Sequence, residues 1–237
     1  MITRAILAGA MVLVLAAPAR ASTVSVSGAS VVFTAAPGEA NNVRVSFGAG
    51  SVVIQDATRP TAGPGCGAVD FNGVSCARTS GGKIVLRFGD GNDKMSPVPS
   101  TPFDGTSFDI DGGTGNDELW GGRNADIIKG AAGRDNLYGQ GGKDLVDGGS
   151  GKDTVHGQGT LRGGSGNDFI DVLFGNEGSK SIVSKLFGGT GNDHFVTGNG
   201  AKEIVDCGAG KDQVASTLPS GHRDKRDRVK RNCEDHF

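Results

Sequence analysis

Apolar and acidic positions recur every nine residues through the middle of the chain. The stretch GGTGNDELW at residues 112–120 is followed by four similar nonets, which begin at Gly121, Gly130, Gly139 and Gly148. Their sixth position is always aspartate, and their eighth is always leucine, isoleucine or valine. This spacing predicts a solenoid in which each nonet buries one apolar side chain. The five pairs are Asp117 with Leu119, Asp126 with Ile128, Asp135 with Leu137, Asp144 with Val146, and Asp153 with Val155.

The pattern continues on both sides of these five units. On the C-terminal side it resumes after an interruption at residues 157–162. In each further unit an acid occupies the sixth position and a large apolar residue lies two places later. Such regularity excludes a disordered linker, although the chain contains 42 glycines and only 5% aromatic residues. The further units are FGDGNDKM with Asp93, GGSGNDFID with Asp168, GGTGNDHFV with Asp193, GNGAKEIVD with Glu203, and CGAGKDQV with Asp212.

These nonets resemble GGxGxDxUx, where U is a large apolar residue, the calcium-binding repeat of the RTX or haemolysin-type family. The resemblance covers roughly residues 88–215. It implies an all-β fold, a parallel β-roll or β-helix solenoid, in which six residues of each nonet turn and three form a strand. Two nonets would then complete a coil of about 18 residues, so that acids of alternate nonets stack along one edge.

Stacked acids of this kind require a cation. Adjacent coils lie about 4.8 Å apart, and two carboxylates at that separation repel by roughly 3 kcal/mol at an effective dielectric constant of 20. A hard dication that takes carboxylate and carbonyl oxygens converts this repulsion into attraction. Calcium is favoured, because magnesium resists dehydration and zinc would need histidine or cysteine. We therefore predict several calcium ions, each bound between one loop and the next but one.

The predicted metal ligands are the sixth-position acids and the carbonyl groups of glycines, the latter implied by the resemblance. The hypothesis places ions between Asp117 and Asp135, between Asp126 and Asp144, and between Asp135 and Asp153. The other acids in this set are Asp93, Asp168, Asp193 and Asp212. The glycines in it are Gly112, Gly113, Gly115, Gly130, Gly133, Gly148, Gly149 and Gly151.

Three turns depart from the repeat. Asn124 replaces a glycine but tolerates left-handed backbone, so its site is expected to survive. Ala201 and Glu203 alter another turn and predict a weaker site there. In the degenerate nonet 175–183, Lys180 occupies the acid position, so no calcium is predicted at that turn.

The N-terminal sequence predicts secretion. Arg4 precedes an apolar run from Ala5 to about Ala17, and Ala19-Arg20-Ala21 has the form of a cleavage site. Residues 1–21 are therefore predicted to be a signal peptide, because the run is shorter than the ~20 residues that span a bilayer. No later segment is apolar enough to span a membrane.

Four cysteines suit an oxidising compartment, and they allow three pairings. Cys66–Cys76 and Cys207–Cys233 are favoured, because each pair closes a short loop within one region. Residues 22–87 contain TVSVSG, ASVVF, NNVRVSF, SVVIQ and KIVLRF, which are typical of short strands and predict a β-rich N-terminal cap. Residues 216–237 are predicted to form a terminal cap, or alternatively a basic patch for an anionic polymer. The basic residues are Arg223, Lys225, Arg226, Arg228, Lys230 and Arg231.

Charge and motif content narrow the function. Loss of Arg4 and Arg20 with the signal peptide takes the formal charge from −2 to −4, which argues against a nucleic-acid partner. Neither HExxH nor GxSxG is present, and the repeat accounts for the acids. The leading hypothesis is a secreted, non-catalytic calcium-binding protein with a structural or surface-interaction role. The alternatives are a β-helical polysaccharide lyase or epimerase, and an adhesin that uses Trp120 and Tyr138.

Overall fold

The fold is all-β, as the repeat predicts. In the computed structural model, the residues described below are 21–69, 72–78, 81–97, 105–172, 182–197, 200–216 and 227–236. They form 23 strands and no helix, so this part of the chain contains no helix that could cross a membrane. The predicted signal peptide, the turn with Lys180 and half of the C-terminal basic cluster lie outside the described residues.

The strands form two sheets, between which the chain passes back and forth. The strands of sheet 1 are β1 (Thr23–Ser27), β2 (Ser30–Thr34), β5 (Thr61–Ala62), β8 (Ile84–Arg87), β10 (Phe108–Thr114), β12 (Ile127–Ala132), β14 (Asp144–Ser150), β16 (Gly159–Ser165), β18 (Ser184–Thr190), β20 (Glu203–Ala209) and β22 (Arg228–Val229). The strands of sheet 2 are β3 (Asn42–Gly48), β4 (Ser51–Gln55), β6 (Cys66–Val69), β7 (Gly73–Ala77), β9 (Lys94–Met95), β11 (Glu118–Trp120), β13 (Asn136–Tyr138), β15 (Thr154–His156), β17 (Phe169–Asp171), β19 (His194–Thr197), β21 (Gln213–Ser216) and β23 (Asp235–His236).

From β8 onward the chain is a parallel solenoid. Each strand pairs with the strand one coil later, so that Ile110, Ile128 and Val146 stack in sheet 1 while Leu119 and Leu137 stack in sheet 2. These eighth-position side chains are fully buried in one continuous core. The pattern of one interior residue per nonet is therefore confirmed.

The strands of sheet 1 are longer than predicted. In β10, for example, the strand continues into the glycines that open the next nonet, whereas β11 has the predicted three residues. The reason is that the first three positions also pair between coils, as Gly113 does with Ala131 and Gly149 with Gly164. Because these positions carry small side chains or none, the backbones pack closely enough to extend the ladder.

The solenoid has two unlike edges. At the first edge, where sheet 1 passes to sheet 2, the turns between β10 and β21 all have three residues. They are 115–117, 133–135, 151–153, 166–168, 191–193 and 210–212. At the second edge the connection ranges from residues 157–158 to residues 172–183. Successive first-edge acids are consequently separated by 24, 18, 18, 15, 25 and 19 residues. The predicted 18-residue coil is correct in the centre and wrong elsewhere, because the second edge absorbs every change in length.

The N-terminal strands cover the first open end of the solenoid. β2 pairs with β8 and β3 pairs with β9, both in parallel, whereas β1, β4, β6 and β7 join them through antiparallel pairs. The five stretches that predicted strands in this region contain or overlap β1, β2, β3, β4 and β8. Both favoured disulfides are present, Cys66–Cys76 between β6 and β7, and Cys207–Cys233 at the C-terminal end.

Candidate metal column

Seven aspartates stand in single file along the first edge, one per coil. The backbone N–H of each of the first six donates to the Oδ1 atom of the aspartate in the following coil, as from Asp117 to Asp135 at 2.8 Å and from Asp135 to Asp153 at 2.9 Å. The other links in this file are 2.8 to 2.9 Å long. We call this file the aspartate column. Its members are Asp93, Asp117, Asp135, Asp153, Asp168, Asp193 and Asp212.

The second carboxylate oxygen of every column member is buried without a hydrogen-bond partner. The residues themselves are at most 2% exposed. A buried charged oxygen that lacks a donor is costly, so seven in one file require a positive partner. The column therefore fits a series of bound cations, which is the role that the sequence predicts for these aspartates.

The pKa values of the column aspartates are raised, which also reflects the cost of burying their charge. Burial raises the pKa of Asp93 and of Asp153 to about 7, and that of Asp117 to about 6. For Asp117 the N–H of Asp93 opposes the rise, and the like charge of Asp135 adds to it. Burial also raises the pKa of Asp135. Holding these groups ionised at neutral pH without a counterion is thus unfavourable.

The glycines of each turn make room for the column. A Cβ atom on Gly130 would lie 2.3 Å from Oδ2 of Asp135, so the carboxylate occupies the space that a side chain would fill. Gly133 has a φ of 142°, and a Cβ there would lie 1.6 Å from the carbonyl oxygen of Gly115 in the preceding coil. The same Cβ on Gly130 would lie 2.7 Å from the carbonyl oxygen of Gly148, so a backbone carbonyl is packed beside that carboxylate.

Backbone oxygens are needed to complete any metal shell here. Within the described ranges, no three histidine, cysteine, aspartate or glutamate side chains converge on one point. Each gap in the column is flanked by the carboxylates of two coils, whereas calcium takes six to eight oxygens. Carbonyl groups of the turns are a further source of oxygen ligands, and they suit a hard cation.

The second edge holds a shorter file. As predicted, Asp126 and Asp144 stack there, with the N–H of Asp126 donating to Oδ1 of Asp144 at 3.0 Å. Burial raises the pKa of Asp144 to about 8, and its Oδ2 atom has no hydrogen-bond partner. Oδ2 of Asp126 accepts the N–H of Gly122 at 2.6 Å. The file then stops, because the residue in register with Asp144 is Gly159, which has no carboxylate.

The turns that depart from the repeat do not all have the backbone conformation expected from the sequence. Asn124 does not adopt the left-handed backbone expected for it; its amide instead donates to the carbonyl of Thr106 at 2.8 Å. Ala131 and Gln140 do have positive φ, 77° and 68°, which the sequence pattern does not reveal. Glu203 is fully buried, and its N–H donates to Oδ1 of Asp227 at 3.1 Å.

Comparison with known families identifies the repeat. The family model of the RTX calcium-binding nonapeptide repeat matches this chain in four copies, at residues 105–137, 121–155, 157–179 and 185–201. The chain therefore carries RTX calcium-binding nonapeptide repeats within residues 105–201. RTX nonapeptides bind calcium, and several ions bind across the repeats. Asp93 and Asp212 lie outside the RTX matches but occupy the same column with the same hydrogen bonds.

No further relatives accompany the RTX match. Neither the search of curated proteins nor the search of solved structures gave a match.

Several aromatic side chains cover one another on the outer face of sheet 2. The rings of Trp120 and Tyr138 stack at 3.8 Å between centroids, and those of Tyr138 and His156 stack at 4.9 Å. The faces that an adhesin would offer to a sugar are therefore turned toward neighbouring coils. Trp120 and Tyr138 thus cover adjacent turns of the solenoid.

A polar cavity of about 220 Å³ lies in the N-terminal strands rather than in the RTX coils. Asp56 is the one acid among its lining residues, and it accepts from the N–H of Asn42 at 2.7 Å, from the amide of Asn41 at 2.7 Å and from the hydroxyl of Thr58. Both oxygens of this carboxylate are already occupied by donors within the N-terminal strands. The cavity therefore gives no support to the lyase or epimerase alternative.

Proposed function

We propose that this protein is a secreted, non-catalytic module whose rigidity depends on calcium and which acts as a structural or surface-interaction element outside the cell. The observation that carries the proposal is the aspartate column, with its seven buried carboxylate oxygens that lack partners. Without a cation, burial and mutual repulsion oppose the stacking of the coils. With calcium bound, the same carboxylates hold neighbouring coils together.

In this proposal one ion lies in each gap between successive column members. The first edge has six such gaps between Asp93 and Asp212, and the second edge has one, between Asp126 and Asp144. Carbonyl groups of the turn glycines complete the shells. The proposed glycines are Gly112, Gly113, Gly115, Gly130, Gly133, Gly148, Gly149 and Gly151.

The remaining parts of the chain have supporting roles in this proposal. Residues 1–21 direct export and are removed, and residues 22–87 cap the start of the coils at residues 88–215. Residues 216–237 cap their end. An affinity of about 10⁻⁴–10⁻³ M, the range of extracellular calcium modules, would let the repeats fold after export, where calcium is plentiful.

Calcium titration of the mature protein by calorimetry, paired with thermal melting, tests the proposal. We expect binding of several ions and a higher melting temperature in calcium than after treatment with EGTA. Asp135→Asn should lower the stoichiometry, whereas Asp147→Asn, on the outer face of sheet 1, should leave it unchanged. An identical melting curve and compactness in calcium and EGTA would exclude a calcium-dependent structure.

A further inference from the structure

We propose that the column of cation sites extends one rung beyond the aspartates, to a site between Asn41 and Asp93. This inference rests on the proposed calcium function. The rung belongs to residues 36–44, APGEANNVR, a degenerate nonet that glycine and aspartate spacing does not reveal. Asn41 stands at its acid position and Val43 at its apolar position.

The backbone of this segment repeats the contacts of the true nonets. The N–H of Asn41 donates to Oδ1 of Asp93 at 2.6 Å, just as the N–H of Asp93 donates to Oδ1 of Asp117 at 2.8 Å. The N–H of Lys94 donates to the carbonyl of Asn41 at 2.9 Å, the counterpart of the 2.8 Å bond from Glu118 to Asp93. Asn41 therefore occupies a rung of the column.

Two further features place the segment in the same register. Val43 is fully buried and pairs with Met95, the eighth-position residue of the next coil. A Cβ atom on Gly91 would lie 2.4 Å from the carbonyl oxygen of Glu39, as a Cβ on Gly115 would lie 1.5 Å from that of Gly91. The stacked carbonyls of the first edge thus continue into the N-terminal strands.

The side chain of Asn41 presents an oxygen for a ligand. Asn41 is 2% exposed, and its Nδ2 atom donates to Oδ2 of Asp56 at 2.7 Å. This carboxylate fixes the orientation of the amide, since the opposite orientation would face two oxygens. Oδ1 of Asn41 is turned away from Asp56 and has no hydrogen-bond partner, as is true of Oδ2 of Asp93. The two unpartnered oxygens lie on neighbouring rungs, and both are buried.

An amide oxygen and a carboxylate oxygen are both ligands of hard divalent cations. Of the two side chains that flank the new gap, Asn41 is neutral and Asp93 is charged, whereas both flanking side chains are charged in each gap within the column. Because ligand charge tunes calcium affinity, this site is the weakest of the series and the last to fill. An ion bound there fastens the N-terminal strand β3 directly to the first repeat coil.

Calorimetric titration of the mature, full-length chain with calcium alone tests the site. We expect Asn41→Ala to bind one ion fewer than the natural sequence. The paired variant Asn41→Asp with Asp56→Asn, which keeps a donor and an acceptor facing each other, should bind the same number with the weakest class at least threefold tighter. Asn42→Ala is the matched control, because Asn42 is the exposed neighbour outside the rung, and it should bind as the natural chain does.

Melting temperatures separate a lost site from a damaged fold. If Asn41→Ala unfolds the N-terminal strands, the paired variant still tests the site, because calcium should raise its melting temperature by more than it raises that of the natural chain. The inference is overturned if the natural chain binds calcium while both variants keep its stoichiometry and affinities. Failure of the natural chain to bind calcium would instead overturn the proposed function.

Discussion

At the scale of single residues, glycines within one turn perform different tasks. A Cβ atom on Gly139 would meet only the side chain of Asp144, with Oδ2 at 2.5 Å. A Cβ on Gly142 would instead meet the backbone of Asn124, at 2.5 Å from its carbonyl oxygen, and its φ is 112°. Gly141 lies between them, and a Cβ there would make only ordinary contacts of 3.5 Å or more. The first glycine thus leaves room for the carboxylate, and the fourth allows the backbones of two coils to pack closely.

Substitutions in this turn should therefore separate metal binding from folding. Gly139→Ala should displace the Asp144 carboxylate, remove one calcium ion from the stoichiometry and lower the calcium-bound stability by about 1–3 kcal/mol. Gly141→Ala, the control, should bind and melt like the natural chain. Calorimetric titration and thermal melting in calcium give both quantities. Unchanged stoichiometry in Gly139→Ala would show that this pair of acids holds no ion.

At the scale of strands, outward-facing charges help to set the register of sheet 1. Asp111, Lys129, Asp147 and Arg162 are adjacent in the ladder of β10, β12, β14 and β16, and their charges alternate in sign. Each charge thus has an opposite neighbour one coil away. A parallel sheet built from near-identical units has few other features that distinguish one coil from the next, so this order favours a single alignment.

Reversing one charge in this ladder should weaken the sheet without affecting the ions. Lys129→Asp places three acids side by side and should lower the free energy of unfolding by about 1 kcal/mol, with a smaller effect at high salt. Lys129→Ala, which removes the charge without adding an acid, should cost less. Denaturant unfolding at low and high ionic strength measures the difference. A salt-independent loss in Lys129→Asp would point to altered packing instead.

At the scale of the whole molecule, one electrostatic feature runs almost from end to end. The aspartate column extends from Asp93 beside the N-terminal strands to Asp212 beside the Cys207–Cys233 disulfide. Cys207 takes the place of the first glycine in the last nonet, so this disulfide is attached to the turn that contains the last aspartate of the column. The stability of the entire solenoid is consequently tied to the ionisation of a single line of carboxyl groups.

Acid should stabilise the calcium-free protein and weaken calcium binding. Burial raises the pKa of Asp93 and Asp153 to about 7 and that of Asp193 to about 6, so the folded state holds protons that the unfolded state has released. The free energy of unfolding without calcium should therefore rise as the pH falls from 8 to 5.5. Calcium must displace these protons, so its affinity should fall over the same range.

Melting of calcium-stripped protein at several pH values checks the first part of this prediction. Calorimetric titration in buffers of different ionisation enthalpy measures the proton release that accompanies calcium binding. If the melting temperature of the calcium-free protein decreases as the pH is lowered from 8 to 5.5, the assignment of raised pKa values to the folded state is contradicted.

The sequence predicts this fold well where its signals are local. The pairing of Asp117 with Leu119, and its repetition, is enough to predict one buried apolar residue and one acid per turn. The sequence does not predict that Asp153, Asp168 and Asp193 share an edge, because connections of unequal length break the count of nonets between them. It also does not reveal the rung at Asn41, whose amide carries no charge and whose turn lacks the marker glycines.

The uniform first edge has a practical consequence for protein engineering. Because the turns from β10 to β21 on that side all have the same length, differences in chain length fall at the opposite margin, as in the short connection 157–158 between β15 and β16. A foreign peptide spliced into that connection would leave the ion-binding turns of the first edge untouched. The molecule is thus suited to display cargo along one flank while calcium sets the stiffness of the support.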